Sequence, residues 1–299
     1  MASNRHSAEG IGVLLAVVAA VGFSAKAILI KLAYASYPVA AVTLLALRMA
    51  FALPVFVWVG LAASRDAPPL TMRDWAVVVA LGLLGYYGAS IFDFVGLQYI
   101  SAGLERLILF TYPTLTILLS ALLFGLAVGR REVGAIMLCY LGIAAAFAHD
   151  LGVGADSAAV WIGGGFVFAS SLSYALYLAG SARMIARLGA ARFTALAMLV
   201  STAATFIHFF ATQPLSALAQ PLPIYAYGLG MALLSTVIPV FAQSAAIRRI
   251  GAGRAALIGT VGPLVTIALG WWVLGETVSV WQLLGAALVV AGVILVGRR

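Results

Sequence analysis

Charged residues are scarce in this chain: Asp, Glu, Lys and Arg together make up 9% of 299 residues. A soluble domain carries about a quarter. The shortage excludes a surface built to face water, and the 64% apolar content with mean hydropathy +1.13 makes lipid the expected solvent. Cysteine is nearly absent. Cys139, inside an apolar run, cannot form an intrachain disulfide or a cysteine metal cluster. No metal and no other cofactor is expected. Only Lys26 and Lys31 represent lysine, and neither follows a glycine-rich phosphate loop, so the chain does not hydrolyse ATP itself. H-E-x-x-H, paired Asp-rich and G-x-S-x-G patterns are also missing. Gly88-Ala89-Ser90 lacks the second glycine, so no catalytic residue is assigned.

What the chain has in excess is basic charge, with a formal net charge of +8. The arginines sit between apolar runs rather than along one face, which argues against nucleic acid as a partner. Arg5 and His6 precede an apolar run from Ile11, and Ala33-Tyr34-Ala35 resembles a cleavage site. Lys26 and Lys31 interrupt that run, however, and it exceeds a signal-peptide core in length, so an uncleaved first span is expected.

Nine polar breaks leave ten apolar runs, roughly 11–33, 39–62, 74–97, 102–125, 132–148, 158–185, 193–211, 224–247, 254–274 and 279–297. A helix of ~20 residues crosses a ~30 Å hydrocarbon core. The runs lack the period-two alternation of a membrane barrel, and abundant Gly and Ala suit close helix packing. The expected fold is an all-α integral membrane protein of ten transmembrane helices in the lipid bilayer.

Two of these runs are one element written twice. Ser101–Gly125 and Gly251–Gly275, 150 residues apart, share Ala102/Ala252, Gly103/Gly253, Leu107/Leu257, Ile108/Ile258, Pro113/Pro263, Thr116/Thr266, Ile117/Ile267, Leu119/Leu269 and Gly125/Gly275. Nine matches in 25 compare with about two or three by chance in so biased a composition. With the N-terminus in the cytoplasm, Arg5, Arg65, Arg73, Arg130, Arg131, Arg183, Arg187, Arg192, Arg248, Arg249, Arg254, Arg298 and Arg299 all fall on that side. Lys31 alone falls opposite, beside the acidic Asp150 and Asp156. Five spans per half is odd, so the second half enters the membrane inverted. The expected organisation is a cytoplasmic tail (1–10), a first five-helix repeat (11–149), a periplasmic linker (150–157) and a second repeat (158–299), with both termini cytoplasmic. Inverted repeats of this kind build many transporters.

Gly96-Leu97-Gln98-Tyr99-Ile100-Ser101-Ala102-Gly103, Tyr112-Pro113, Ile250-Gly251-Ala252-Gly253, Pro263, Leu274-Gly275-Glu276, Leu47-Arg48 and the closing Gly285–Gly297 helix together resemble the drug/metabolite transporter superfamily, in its EamA-type branch. The small YddG-type exporters of aromatic and other amino acids look closest. The resemblance covers nearly the whole chain. It implies a bacterial-type inner-membrane secondary transporter that exports small metabolites by alternating access. A membrane-embedded enzyme or a channel for a small polar metabolite is the other reading.

The charges inside the spans are Lys26, Arg48, Asp93, Glu105 and Arg106, all in the first half. Such residues are costly in lipid and should face the interior. Asp93 and Glu105 read either as ion-pair partners of Lys26, Arg48 or Arg106, or as proton carriers, with protons then a coupling partner. Helical spacing puts Tyr86, Ser90 and Asp93 on one face and Ser170, Tyr174, Tyr177 and Ser181 on another. Glu105, Leu109, Tyr112 and Thr116 form a third stripe, matched by Ala255, Gly259, Gly262 and Thr266. Tyr86, Ser90, Phe110, Tyr112, Tyr174, Tyr177 and Gln243 are the expected substrate-binding set. A compact amphipathic zwitterion such as an amino acid suits it. Pro113, Pro239 and Pro263 are expected to bend their helices as hinges or gates. A monomer is expected.

Overall fold

The computed structural model describes residues 2–125, 127–152, 157–250, 255 and 258–297. Among them there is helix and no strand. The helices are α1 (Ala2–Ser36), α2 (Ala41–Ala62), α3 (Met72–Gly82), α4 (Ala89–Gly96), α5 (Ala102–Leu109), α6 (Tyr112–Phe124) and α7 (Arg130–Gly152). They continue as α8 (Ser157–Leu188), α9 (Ala190–Thr212), α10 (Leu222–Ala232), α11 (Ile238–Ile250), α12 (Gly262–Leu274) and α13 (Val280–Gly297). Eight helical segments are long and apolar enough to cross a membrane, and Gly262–Leu274 and Val280–Leu295 are shorter apolar helices. Trp58, Trp161, Trp271 and Trp272 are exposed on the outside, as a lipid-facing surface requires. The chain is a multi-pass membrane protein.

Within the tail expected at 1–10, α1 is helical from Ala2. Within the linker expected at 150–157, α7 extends through Gly152 and α8 starts at Ser157. Residues 153–156 lie outside the described part, as do Ala252, Gly253, Arg254, Leu257, Arg298 and Arg299 and the side chain of Arg248.

Local chemistry explains the ends. Thr71 and Asp74 form a reciprocal capping box at α3, with Asp74 Oδ2 accepting from Thr71 N at 2.9 Å, and Arg187 pairs with the same oxygen at 2.8 Å. Ser101 Oγ caps α5 by accepting from Leu104 N at 3.1 Å. Gly125 and Gly275 end α6 and α12 with φ of +66° each, a left-handed turn that a side chain would disfavour.

Helix contacts recur in equivalent pairs. α1 packs on α11 as α8 packs on α4, α1 on α12 as α8 on α6, and α2 on α10 as α9 on α3. α2 meets α9 and α7 meets α13 directly. The last of these contacts is made backbone to backbone. A Cβ on Gly142 would lie 2.6 Å from the Gly285 carbonyl oxygen, and one on Gly285 2.5 Å from that of Gly142. Small residues let membrane helices approach this closely, and a larger side chain must push them apart. Gly142→Val is therefore expected to destabilise the fold by about 1–3 kcal/mol, read as a lower melting temperature in detergent.

Candidate functional site

The sequence places Pro113 and Pro263 inside continuous helices; the structure corrects this. The fourth span is broken at Phe110–Thr111, and Pro113 stands in the first turn of α6; Pro263 holds the same place in α12. There a missing N–H costs nothing, because the first turn has no intrahelical acceptor for it. Pro239 is the second residue of α11, directly after a π-helical turn at Leu233–Val237. An equivalent π turn occupies Leu83–Gly88 in the third span, 150 residues earlier. Pro54, inside α2, is the proline that sits within a helix without such a break.

Breaks and π turns release backbone groups that must find partners inside a membrane. Serines and threonines supply them. Ser171 Oγ donates to Leu109 O at 3.1 Å and lies 2.6 Å from Thr111 Oγ1. Ser24 Oγ donates to Gly262 O at 3.0 Å, across the second break. Ser173 Oγ donates to Leu84 O at 2.7 Å, Ser170 Oγ to Ala89 O at 2.6 Å, and Thr236 Oγ1 to Met231 O at 3.0 Å.

All five charges expected inside the membrane are buried or nearly so. Lys26 Nζ pairs with Asp93 Oδ2 at 2.6 Å and stands 3.9 Å from Glu105 Oε1, with side-chain exposures of 18%, 1% and 0% in that order. One ammonium thus serves two enclosed carboxylates. Arg48 Nε donates to Thr236 Oγ1 at 2.9 Å and Nη1 to Ser90 Oγ at 3.4 Å, with the guanidinium 5.7 Å from the Phe94 ring centre. Arg106 lies 5.1 Å from the Phe110 ring centre, and its Nε has no acceptor among the described residues.

The tyrosines form a second cluster. Tyr86 and Tyr177 hydroxyls meet at 3.0 Å with ring centres 5.1 Å apart. Tyr174 stacks on Tyr177 at 5.6 Å, Tyr112 meets Tyr174 edge-on at 5.1 Å, and Phe110 meets Tyr112 at 5.8 Å. Phe193 extends this chain by stacking on Tyr177 at 6.0 Å. Its sequence setting, just after Arg192 at the foot of α9, carries no signal of that contact. Ser24 and Ser171 were equally silent, since their partners come from distant helices. Ser90 joins the charge cluster through Arg48 rather than the ring chain. Gln243 is half-buried on α11, and no hydrogen bond joins it to either cluster among the described residues.

On the end of the bundle holding the α5 N-terminus, a cavity of about 300 Å³ is lined by Tyr99, Ser101, His149, Asp150, Glu276 and Gln282, among others. Glu276 there accepts from Ala102 N at 2.9 Å, and Lys31 Nζ donates to Ile100 O at 3.0 Å.

The profile of the EamA-like transporter family matches residues 10–148 and 161–298. The chain belongs to the EamA-like transporter family. The uncharacterized transporter YcbK of Bacillus subtilis (strain 168) is 32% identical to this EamA transporter over 295 residues, covering 94% of this chain and 90% of its own. The uncharacterized transporter YyaM of the same organism is 24% identical over 217 residues, covering 72% of this chain and 71% of its own. A protein of known crystal structure, 20% identical, superposes with a TM-score of 0.66 over 95% of this chain and 96% of that one, a likeness of fold. Residues 149–160 separate the two matched segments of the EamA transporter.

Proposed function

We propose that this EamA transporter is a secondary carrier of the inner cell membrane that exports small metabolites, foremost amino acids with aromatic or apolar side chains. It works as a monomer with both termini in the cytoplasm. Access alternates between two inverted five-helix repeats, ten spans in all. The paired helix boundaries, the paired π turns and the one-sided distribution of arginine support this organisation. One observation carries the substrate reading: the ring chain from Phe110 to Tyr177 meets buried Arg106 beside the breaks at Phe110–Thr111 and Thr260–Val261. Rings suit an apolar or aromatic side chain, and charges of both signs suit a zwitterion. Asp93 and Glu105 are the groups placed to carry protons if export is proton-coupled.

The test is transport by purified protein in liposomes against a panel of amino acids, with and without an imposed pH gradient. Uptake of phenylalanine or tyrosine is expected, and Tyr112→Ala or Tyr174→Ala should reduce it at least about tenfold without loss of folded protein. Wild-type rates in both variants would remove the rings from the substrate path. A rate indifferent to the gradient would remove proton coupling.

A further inference from the structure

Arg106 is 7% exposed and has no charged partner within ion-pair distance among the described residues. It is not idle in direction. A Cβ on Gly262 would sit 3.0 Å from its Nη2 and 3.3 Å from Phe110 Cζ, so the guanidinium and the Phe110 ring both lie against the first turn of α12. That turn begins at Val261 without a side-chain cap, and α12 runs 13 residues onward from it. The positive end of a helix and a buried guanidinium therefore point at one place inside the membrane. Two positive ends with no anion between them are an unfavourable arrangement, and a carboxylate resolves it. Glu105 stands 3.9 Å from Lys26 Nζ, and among the described residues it makes no ion pair with Arg106.

We propose that Arg106 and the N-terminal turn of α12 form the carboxylate subsite of the transported molecule. The proposal rests on the export reading above and deepens it to substrates that bear a carboxylate next to an apolar or aromatic group. Arginine's planar fork suits a carboxylate, and such charge-assisted bonds are the strong ones in a dry site. The guanidinium lies 5.1 Å from the Phe110 ring centre, Phe110 meets Tyr112 and Tyr112 meets Tyr174, so a ligand held there by its carboxylate extends its side chain along the rings. Gly262 is what lets the guanidinium approach the backbone. The other half of the chain has no such site: 150 residues away, Arg106 corresponds to Ala256 and Gly262 to Tyr112.

The experiment measures binding of three probes to the purified full chain: L-phenylalanine, 3-phenylpropionate and phenethylamine. In the wild type both carboxylates should bind at least about tenfold more tightly than the amine. Arg106→Gln should bring the three together, whereas Arg106→Lys, which keeps the charge but not the fork, should keep part of the gap. A structural role alone would not change the ranking of probes. An amine that binds the wild type as well as the carboxylates do overturns the subsite, and this needs no variant to fold. So does failure of both carboxylates to bind, or an unchanged gap in Arg106→Gln. Liposome transport separates the two readings. Carboxylate binding without transport would leave the subsite standing and remove export, while transport with no preference for carboxylates would do the reverse.

Discussion

Lys26→Met is expected to cost the protein a large share of its folded stability, about 3–5 kcal/mol. Methionine keeps the length and apolar stem of lysine but removes the ammonium. Asp93 and Glu105, at 1% and 0% exposure, would then be left with no cation within 4 Å among the described residues. Removing one partner of a buried ion pair costs about 3–5 kcal/mol, because the charge left behind is desolvated and unpaired. A typical domain has only about 5–15 kcal/mol in hand. The variant should melt far below the wild type in detergent or elute as aggregate. Adding Asp93→Asn and Glu105→Gln to the same chain removes the stranded charges and should restore most of the loss. A single variant that melts with the wild type would show that the cluster is not structural. A triple variant that folds but no longer transports would place the cluster in function as well.

The helical membrane fold was legible because lipid imposes it. Long apolar runs with polar breaks leave a chain no other way to satisfy its backbone. The duplicated block was legible for the same reason that its glycines end both copies, since Gly125 and Gly275 share a φ of +66°. The buried charges were legible too, because a charge in a span has nowhere to go but inward. What sequence did not give was how far each proline disturbs its helix. Pro113 and Pro263 start helices after a break, and whether a proline kinks a helix or begins one depends on the turn before it. That turn is set by partners such as Ser171 and Ser24, contributed by helices far away in the chain. The π turns were hidden likewise. Leu-Leu-Gly-Tyr-Tyr-Gly has no local mark of a widened turn, and the hydroxyl of Ser173 that meets its free carbonyl lies 89 residues on. Helical spacing found Tyr86, Tyr112, Tyr174 and Tyr177 as faces of three separate spans. Only packing could join them and add Phe193.

Gly85 tests that junction most sharply. It sits in the first π turn, and a Cβ there would overlap the Tyr177 ring. The glycine therefore creates the space in which Tyr177 lies flat between Tyr174 and Phe193 while its hydroxyl meets Tyr86. Gly85→Ala must displace that ring, and with it the hydrogen bond at 3.0 Å and both stacking contacts. Overpacking of this kind costs about 1–3 kcal/mol in stability. The effect on transport should be larger, a loss of at least about tenfold, because a ring moved by an ångström no longer presents the same surface to a bound side chain. Gly165→Ala, on α8 and with nothing within 4 Å of the added carbon, is the control and should leave melting and transport unchanged. Gly85→Ala combined with Tyr177→Ala removes the collision with the ring and leaves only Tyr177 Cβ, 2.8 Å from the added carbon, so it should recover part of the stability without recovering transport. That split distinguishes a ring needed for substrate from one needed only for packing. If the double variant regains wild-type rates, the path of the substrate runs elsewhere than along Tyr177.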